Sequence, residues 1–225
     1  MGMSLLQEAI DAIVEDTEMF GIDGACPVAY EPPNNDSRIL LISGDNAGGK
    51  SLVCRFLSLT FSRSKIEFMR IGMEMRTNGG MVRTFIFGDE GRCSTGELTA
   101  HSVLGAIHNS KQRTHAHVVC LDEPDTGLSE GYQQAVGETL VDYASTLPEH
   151  AAGLVVVTHS RFIANALMKL DPHRFRVGDD LRLTREWIRK GPLKRSMEDL
   201  ANLKKISHKR FLAVTKVQNA RKAKK

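Results

Sequence analysis

The sequence predicts an α/β fold with a mostly parallel central sheet flanked by helices, a small antiparallel β portion and a helical, basic C-terminal tail. The first observation is an apolar run at 39–42, which is followed by a glycine-rich turn and a segment able to form a helix. The second is a pair of later apolar runs, 118–121 and 153–157, each of which ends in polar residues. Short apolar runs of this kind are typical of parallel strands buried on both faces.

Three parts are expected along the chain: an N-terminal helical segment at 1–24, an α/β domain at 25–178 and a basic, mainly helical extension at 179–225. The first 20 residues are acidic and have helical spacing, unlike a signal peptide. No apolar run approaches the roughly 18 residues that cross a membrane, and the four cysteines include no C-x-x-C pair. These features favour a cytoplasmic protein with reduced thiols.

A glycine-rich stretch, called the glycine loop below (44–51), follows the first apolar run and fits the pattern G-x-x-x-x-G-K-[ST]. Backbone N–H groups at such a strand–loop–helix junction bind phosphates, with a lysine on the β- and γ-phosphates and a hydroxyl on Mg²⁺. We therefore expect ATP and Mg²⁺ here, with Lys50 and Ser51 in these roles. The alternative is a chance glycine-rich turn. The expected nucleotide contacts are Gly44, Asp45, Asn46, Ala47, Gly48, Gly49, Lys50, Ser51 and Leu52.

Two carboxylates and a histidine follow the later strands. Asp122 is placed to hold Mg²⁺ through water, and Glu123 is placed to polarise the attacking water as a general base. His159 ends the third apolar strand, where its imidazole could hydrogen-bond a γ-phosphate. We expect Glu123, His159 and Lys50 to be the catalytic groups. The alternatives are an acidic helix cap for the two carboxylates and a structural role for the histidine.

These motifs, taken with Cys93-Ser94-Thr95-Gly96-Glu97 (the Ser94 segment), resemble those of ATP-binding cassette (ABC) ATPases in order and spacing over residues 38–168. The glycine loop resembles Walker A and 118–123 resembles Walker B. The Ser94 segment resembles the ABC signature, 125–129 falls at the D-loop, and His159 falls at the switch histidine. The resemblance implies a P-loop NTPase fold of ABC type.

The resemblance also implies a head-to-tail dimer in which each ATP lies between Walker A of one copy and the signature of the other. Ser94 and Gly96 would then reach the γ-phosphate in trans, at the start of a helix that begins near Glu97. Thr95 and Glu97 are expected to belong to the same nucleotide-binding segment. A simpler interpretation of Ser94 and Glu97 is a helix N-cap with a capping-box acid. Both interpretations can hold together, since the cap geometry itself makes a phosphate site.

The chain departs from the family pattern in several places. Thr95 replaces the usual first glycine of the signature, and Ser129 stands where many cassettes carry the D-loop aspartate. No glutamine lies between Ser51 and the signature, so we assign Glu74 as a substitute metal ligand. The adenine-stacking aromatic is open between Tyr30 and Phe20, and each could equally be a packing residue.

The interval between Lys50 and the Ser94 segment distinguishes classes of cassette. Its β-rich stretches, 65–70 and 81–87, leave too little chain for the helical subdomain of transporter cassettes. The interval resembles stand-alone and DNA-associated cassettes, such as mismatch-repair, recombination and chromosome-structure ATPases. We therefore expect an ATPase that serves nucleic-acid transactions or a larger soluble complex. The alternatives are an ATP-gated interaction switch with little turnover and, less favoured, the energising subunit of a membrane transporter.

Charge is distributed unevenly along the chain. Residues 182–225 carry fifteen Lys/Arg and three Asp/Glu, whereas the rest carries fifteen and twenty-four. Helices are expected around 181–190 and 196–205, with a further basic helix at 209–222. The tail could be a solvated surface, a sequence-independent contact to DNA or RNA phosphates, or a ligand for an acidic partner or for the acidic body of the same or another copy. Its candidate contacts are Lys204, Lys205, Lys209, Arg210, Lys216, Arg221 and Lys222.

Overall fold

The central sheet of the computed structural model has six strands within the described residues, 4–72 and 93–224. Its spatial order is β1-β6-β2-β5-β4-β3, with β1 antiparallel to β6 and every other adjacent pair parallel. This confirms an α/β fold with a mostly parallel sheet. The strands are β1 (Val28–Glu31), β2 (Ile39–Gly44), β3 (Glu67–Gly72), β4 (His117–Asp122), β5 (Ala151–Thr158) and β6 (His173–Val177).

Helices cover both faces of this sheet, as predicted. The described helices are α1 (Leu5–Val14), α2 (Thr17–Phe20), α3 (Lys50–Arg63), α4 (Thr95–Gln112), α5 (Glu130–Ser145), α6 (Arg161–Leu167), α7 (Thr184–Lys190), α8 (Met197–Ala201) and α9 (Leu203–Ala223), with a 3₁₀ turn at Met168–Leu170. Side chains of α1, α2 and α3 pack on one face, and those of α4, α5, α6 and α7 pack on the other. No described helix is both long enough and apolar enough to cross a bilayer.

The apolar runs form strands because both of their faces are buried. Every residue of β2 and β4 is buried. Leu40 and Ile42 contact the core under α3, whereas Leu41 between them contacts the core under α5 and α6. Alternate residues of a strand point to opposite faces, so only a continuous apolar run can satisfy both cores.

The sheet order brings three loops to one edge. Strand β5 lies between β2 and β4, with Ser43 opposite Thr158 and Asp122 opposite Val157. The carboxyl ends of these parallel strands therefore lie side by side, which is where open α/β sheets bind ligands. The glycine loop and the residues after Asp122 and Thr158 all leave from this edge.

The β-rich stretch at 65–70 forms β3, which pairs parallel with β4. The described antiparallel pair instead joins β1 to β6. The second β-rich stretch, 81–87, and Glu74 lie outside the described residues.

The basic tail is helical, as predicted, but its helix boundaries differ: α7 and α8 fall within 181–190 and 196–205, whereas α9 begins at Leu203 and runs without a break through 209–222. It also packs on the body: Val214 of α9 is 6% exposed and belongs to the same core as α1 and α3. The division into 1–24, 25–178 and 179–225 stays a prediction, since residues from all three ranges share this core.

Candidate functional site

The glycine loop follows a path that glycine permits and other residues strain. At Gly44 an added Cβ would lie 2.0 Å from the Val177 carbonyl oxygen. Gly49 precedes α3 with a φ of 107°, and a Cβ there would lie 2.3 Å from Cys26 Sγ. Glycine alone adopts such positive φ values without steric cost. The loop therefore lies directly on β6 and on Cys26, two residues before β1, with its backbone close to both.

The start of α3 has no side-chain cap among the described residues. The first N–H groups of a helix need an acceptor, and they carry the positive end of the helix dipole. At α3 these groups lie in a cleft of about 360 Å³, within the range of roughly 300 to 1,000 Å³ typical of small-ligand pockets. The cleft is lined by Asn46, Ala47, Gly48, Gly49, Lys50, Ser51, Leu52, Asp122, Glu123, Ser207, Arg210, Phe211 and Val214.

Lys50 is buried beneath this loop, at 7% exposure. Its Nζ donates to the carbonyl oxygens of Gly44 and Asp45, both at 3.2 Å. Burial lowers the pKa of Lys50, and nearby carboxylates, Glu123 foremost, oppose that shift. The ammonium group is thus held at the loop by neutral carbonyls, which a phosphate can replace with a stronger, charge-assisted bond.

Glu123 and His159 meet beside Lys50. His159 Nε2 lies 2.8 Å from Lys50 Nζ and 3.2 Å from Glu123 Oε1. Protonation at Nε2 favours the bond to the carboxylate, and an unprotonated Nε2 accepts from the ammonium group. The hydrogen bond to His159 lowers the pKa of Glu123 against burial, which raises it. The structure therefore brings together all three predicted catalytic residues.

The backbone at Glu123 is also unusual. Its φ is 55°, a conformation that is uncommon for a residue other than glycine. Its N–H donates to the Val157 carbonyl at 2.8 Å, which holds the turn against β5. Strain of this kind concentrates at functional sites, and here it presents a carboxylate to the glycine-loop cleft at the end of a buried strand.

Asp122 is engaged by a cation. Arg70 of β3 donates from Nε to Asp122 Oδ2 at 2.9 Å and also forms an ion pair through Nη2. Ser51, in the first turn of α3, is exposed in the same cleft. Hydroxyl and carboxylate oxygens suit Mg²⁺, which keeps water and phosphate oxygens as its other ligands. The predicted metal ligands Ser51 and Asp122 therefore line one cleft, although no group of three His, Cys, Asp or Glu among the described residues forms a ready-made metal site.

The two candidate adenine-stacking aromatics are both packing residues in the described structure. Tyr30 bonds His173 Nδ1 through its hydroxyl at 2.9 Å and packs edge-on against Phe175. Phe20 is buried edge-on against Phe56. Both residues therefore have the packing role that was the alternative to adenine stacking.

The Ser94 segment forms a complete capping box, which confirms that interpretation. Ser94 Oγ accepts from the Glu97 N–H at 3.3 Å, and the Ser94 N–H donates to Glu97 Oε2 at 2.7 Å. These bonds lower the pKa of Glu97. Helix α4 begins at Thr95, two residues before the expected position, because the serine takes the N-cap place. Ser94, Thr95 and Glu97 are exposed.

This segment packs on the loop that follows Glu123. A Cβ at Gly96 would lie 2.9 Å from the Gly127 carbonyl oxygen, and Thr99 Oγ1 donates to the Thr126 carbonyl at 2.8 Å. Asp125, in the same loop, accepts from Thr158 Oγ1 at 2.5 Å. The start of α4 is therefore connected by direct contacts to the carboxyl ends of β4 and β5.

Within the described part of one chain, however, the Ser94 segment and the glycine loop line different clefts. Ser94, Gly96 and Glu97 line a cleft of about 710 Å³ together with Leu128 and Tyr132. None of these five residues lines the described glycine-loop cleft. The two segments predicted to form one nucleotide site therefore line separate clefts in the described part of one chain.

Residues of α9 are the part of the glycine-loop cleft that sequence reasoning missed. Ser207, Arg210, Phe211 and Val214 line it, and α8 with the start of α9 lines a neighbouring cleft beside Asp45. An ion pair between Arg195 and Asp45 joins the tail to the loop itself. The sequence feature that could have identified these residues is their spacing, because positions 207, 210, 211 and 214 lie on one helical face.

The candidate tail contacts fall into two groups. Arg210 pairs with Asp179 at 3.1 Å, and Arg221 pairs with Asp16 and Glu18. These two therefore contact the acidic body of the same chain, one of the alternatives predicted. The other five are exposed: Lys204, Lys205, Lys209, Lys216 and Lys222.

The sequence matches no protein-family model, and it matches no curated protein. The geometry of the two clefts therefore carries the functional interpretation.

Proposed function

We propose that the protein binds ATP with Mg²⁺ at the glycine loop and hydrolyses it in a head-to-tail dimer of ABC type. The observation that carries this proposal is the cluster of Lys50, His159 and Glu123 at the uncapped start of α3. A buried ammonium group beside uncapped N–H groups favours a polyphosphate. A carboxylate held next to it by an imidazole supplies a base for water.

The chain's own groups account for the proton and charge changes of hydrolysis. Lys50 exchanges its loop carbonyls for phosphate oxygens. Glu123 accepts the proton of the attacking water, and its lowered pKa keeps it ionised at neutral pH. His159 orients that carboxylate and donates to the developing charge. Ser51 would hold Mg²⁺ directly and Asp122 would hold it through water, and the metal would supply charge neutralisation for the phosphate oxygens.

The exposed Ser94 segment supports the dimeric part of the proposal. Ser94 Oγ accepts the Glu97 N–H, so its own O–H remains able to donate to a phosphate of another copy. Because the two clefts of one chain are separate, a second copy is the simplest source of this contact. Two copies related by a two-fold axis would form two equal composite sites.

Complementation between two inactive variants tests this arrangement. Lys50→Met removes the phosphate cation. Ser94→Asp keeps an N-cap side chain but places a negative charge where the partner's phosphate would lie. Each variant alone should lose ATPase activity. Random mixing should restore about a quarter of wild-type activity, since half of the dimers are mixed and each contains one intact site.

Ser94→Asn is the matched control, because it keeps the cap without adding charge. It should retain most of the wild-type activity. If the mixture stays inactive although both variants dimerise with ATP, the Ser94 segment does not act in trans. If Ser94→Asp alone is fully active, the segment does not contact phosphate at all.

The basic tail supports one further part of the proposal, a role for the ATPase with nucleic acids. Five exposed lysines, together with the excess positive charge of 182–225, form a surface suited to phosphate backbones. Binding of a labelled duplex should weaken steeply with salt and should not depend on its sequence. ATPase stimulation by DNA or RNA would favour this role. Changing all five lysines to glutamine should abolish that stimulation.

One observation favours the second candidate function, an ATP-gated interaction switch with little turnover. Arg70 holds Asp122, so the carboxylate must leave this pair, or share it, to serve a metal. Tight ATP binding with negligible turnover, with and without nucleic acid, would support the switch. Arg70→Gln should then raise the Mg²⁺-dependent rate, because it frees the carboxylate.

A further inference from the structure

Helix α9 lies over the glycine loop and presents one face to its cleft. Ser207, Arg210, Phe211 and Val214 are the residues of that face. Arg210 Cδ lies 3.4 Å from the position of a Cβ at Gly49, the residue that precedes α3. The wall of the cleft opposite the loop is therefore part of the same chain and not of a second copy.

This helix is fixed to the body along its length. Val214 is buried among the residues of the α1–α3 core. Beyond it, Arg221 Nη1 donates to Asp16 Oδ2 at 2.8 Å, and nearer the start Arg210 Nη2 donates to Asp179 Oδ1 at 3.1 Å. Contacts at the start, middle and end hold the cleft-facing side in place, as a binding wall requires.

Arg210 has hydrogen-bond donors that the described residues do not satisfy. Its side chain is 13% exposed, and Nε and Nη1 are buried with no hydrogen-bond partner among the described residues. Burial raises the pKa of the neighbouring Cys26 thiol, and the charge of Arg210 and a hydrogen bond with Arg210 oppose that shift. A thiol is only a weak acceptor, so this contact satisfies the guanidinium poorly. Native structures rarely leave buried N–H groups of a cation unpaired. An anion in the cleft would satisfy them once a rotation of the side chain turns these atoms towards it.

The position of these donors indicates which anion. They lie beside Gly49 and the uncapped start of α3, where the glycine loop already directs N–H groups and Lys50 at a phosphate. A guanidinium group donates charge-assisted hydrogen bonds to phosphate oxygens. Arg210 thus adds a second cation to the loop from the opposite wall.

Phe211 provides an apolar surface next to this cation. Phe211 is 64% exposed although it lines the cleft, so much of its surface is available to a ligand. Exposed aromatic rings stack on nucleobases whatever their sequence. The earlier candidates for this role, Tyr30 and Phe20, are held in the core by Phe175 and Phe56.

We propose that α9 completes the nucleotide site in cis, with Arg210 donating to a phosphate of ATP and Phe211 stacking on its base. This inference rests on the proposed function, since it names two further binding residues of the same site. It gives the basic tail a role at the nucleotide, separate from any contact that its exposed lysines make.

Two ligands separate the two contacts. Affinities for ATP and for inorganic tripolyphosphate, which lacks the base, would be measured on the full chain by competition with a fluorescent ATP analogue. Arg210→Gln should weaken both ligands by about 10- to 100-fold, the usual range for a hydrogen bond to a charged group. Phe211→Ala should weaken ATP by about 5- to 100-fold, as expected for one stacked base, and leave tripolyphosphate unchanged.

Neighbouring residues of α9 supply matched controls. Lys209→Gln removes a positive charge one residue from Arg210, from an exposed side chain that is not part of the described cleft lining. Leu212→Ala removes an apolar side chain that is 53% exposed and likewise outside that lining. Both controls should bind the two ligands as the wild type does. Arg210→Lys, which keeps the charge but not the fork, should be intermediate.

The outcomes distinguish this inference from the proposed function. If the wild type binds ATP and both cleft variants bind it equally well, the inference is wrong and the proposed function stands. If either variant binds ATP more tightly, α9 covers the site instead of completing it, which also overturns the inference. A wild type that binds neither ligand overturns the proposed function and this inference with it. Should Arg210→Gln fail to fold, the two-ligand signature of Phe211→Ala decides the matter.

Discussion

The glycine loop and the Ser94 segment are both starts of helices, yet the chain completes them differently. Helix α3 begins without a side-chain cap among the described residues, whereas α4 begins with a full capping box. The first start is enclosed by β6, Cys26 and α9, and the second is exposed. Backbone N–H groups of a helix start need an acceptor. The chain supplies that acceptor from a side chain at α4, whereas at α3 no described side chain supplies one.

This difference indicates a division of roles between the two segments. At the glycine loop, Lys50 contacts His159, which in turn contacts Glu123, so the groups proposed to bind phosphate and to activate water meet within one chain. The Ser94 segment is already stable by itself, so contact with another copy would add to its hydrogen bonds without being needed for its fold. Changes at the loop should therefore alter chemistry and stability, while changes at Ser94 and Glu97 should mainly alter association.

The largest expected effect is on turnover, from a change in the glycine-loop cleft. Glu123→Gln keeps the shape of the side chain and an acceptor for His159 but removes the general base. We expect turnover to fall by about 100- to 10,000-fold while ATP affinity is retained, so that ATP accumulates on the dimer. Phosphate release and sedimentation with ATP measure the two effects.

Glu149→Gln is the control for this change, because Glu149 is exposed in the loop before β5. It should be as active as the wild type. A Glu123→Gln protein that still turns over at the wild-type rate would exclude Glu123 as the base. A protein that binds ATP but remains monomeric would contradict the self-association that the comparison of the two segments implies.

The next largest effect is expected on stability, from the buried contacts of Arg176 next to the glycine loop. Arg176 of β6 is fully buried, and its Nη1 donates to Ser43 Oγ, one residue before the loop, at 3.1 Å. The same guanidinium pairs with buried Asp180 at 3.1 Å and lies 4.6 Å from the centroid of the Trp187 ring. Burial lowers the pKa of this arginine, and Asp180 opposes the shift.

Arg176→Met should lower the free energy of unfolding by about 1.5 to 3 kcal/mol, the usual contribution of hydrogen bonds to a charged group. Asp180 keeps its ion pair with Arg182, so its charge is not left uncompensated. Chemical denaturation measures this loss. The control is Arg185→Met on the exposed side of α7, which should change stability by less than about 0.5 kcal/mol. Equal effects from the two substitutions would show that the network under the loop is not a special source of stability.

A pH effect on stability is expected from two buried histidines that begin β6 and β4, at the ends of these strands away from the loops. Burial lowers the pKa of His173, which is bonded to Tyr30, and of His117, which shares a hydrogen bond of 2.7 Å with Ser110 near the end of α4. Both residues fold as neutral imidazoles. As pH falls from the unfolded value of about 6.5 towards the lower folded values, the unfolded chain binds protons first, so stability falls.

Above pH 7 the two histidines should contribute no pH dependence, because they are neutral in both states. Denaturation at pH 8 and pH 5.5 would measure the loss, and His117→Asn and His173→Asn should each make it smaller. Stability that rises towards pH 5.5 in the wild type would contradict this account, as would a pH dependence that neither substitution changes.

Local pattern was sufficient for much of this site. The strands at 39–44 and 117–122 follow from their apolar runs, and the capping box follows from Ser94 and Glu97 three residues apart. These features depend on hydrogen bonds and burial within a few residues, which spacing reports directly. The positions of Lys50, Glu123 and His159 at one edge follow from the parallel order of the strands that carry them.

Contacts over long sequence distances were not predictable in the same way. Arg70 holds Asp122 because β3 pairs with β4 in one register, and no local pattern fixes that register. Arg210 reaches Gly49 because Val214 and Arg221 fix α9 to the N-terminal helices. The charge of the tail was evident from the sequence, but its direction is decided by where acidic and apolar partners lie in the folded body.

The smallest effect should come from Glu97, and it gives the sharpest test of the comparison. Gln at this position keeps an oxygen for the Ser94 N–H, so the capping box survives, but the negative charge is lost. Without that charge, helix α4 loses a favourable interaction with its dipole, and the free energy of unfolding should fall by about 0.3 to 1 kcal/mol.

If the segment contacts ATP bound to another copy, the same change removes a repulsion and should tighten ATP-dependent dimerisation by about 2- to 5-fold, less at high salt. Sedimentation in the Glu123→Gln background would measure the second effect. The two quantities then change in opposite directions, which a purely structural cap cannot produce, since a weaker cap alone would leave dimerisation unchanged or weaken it.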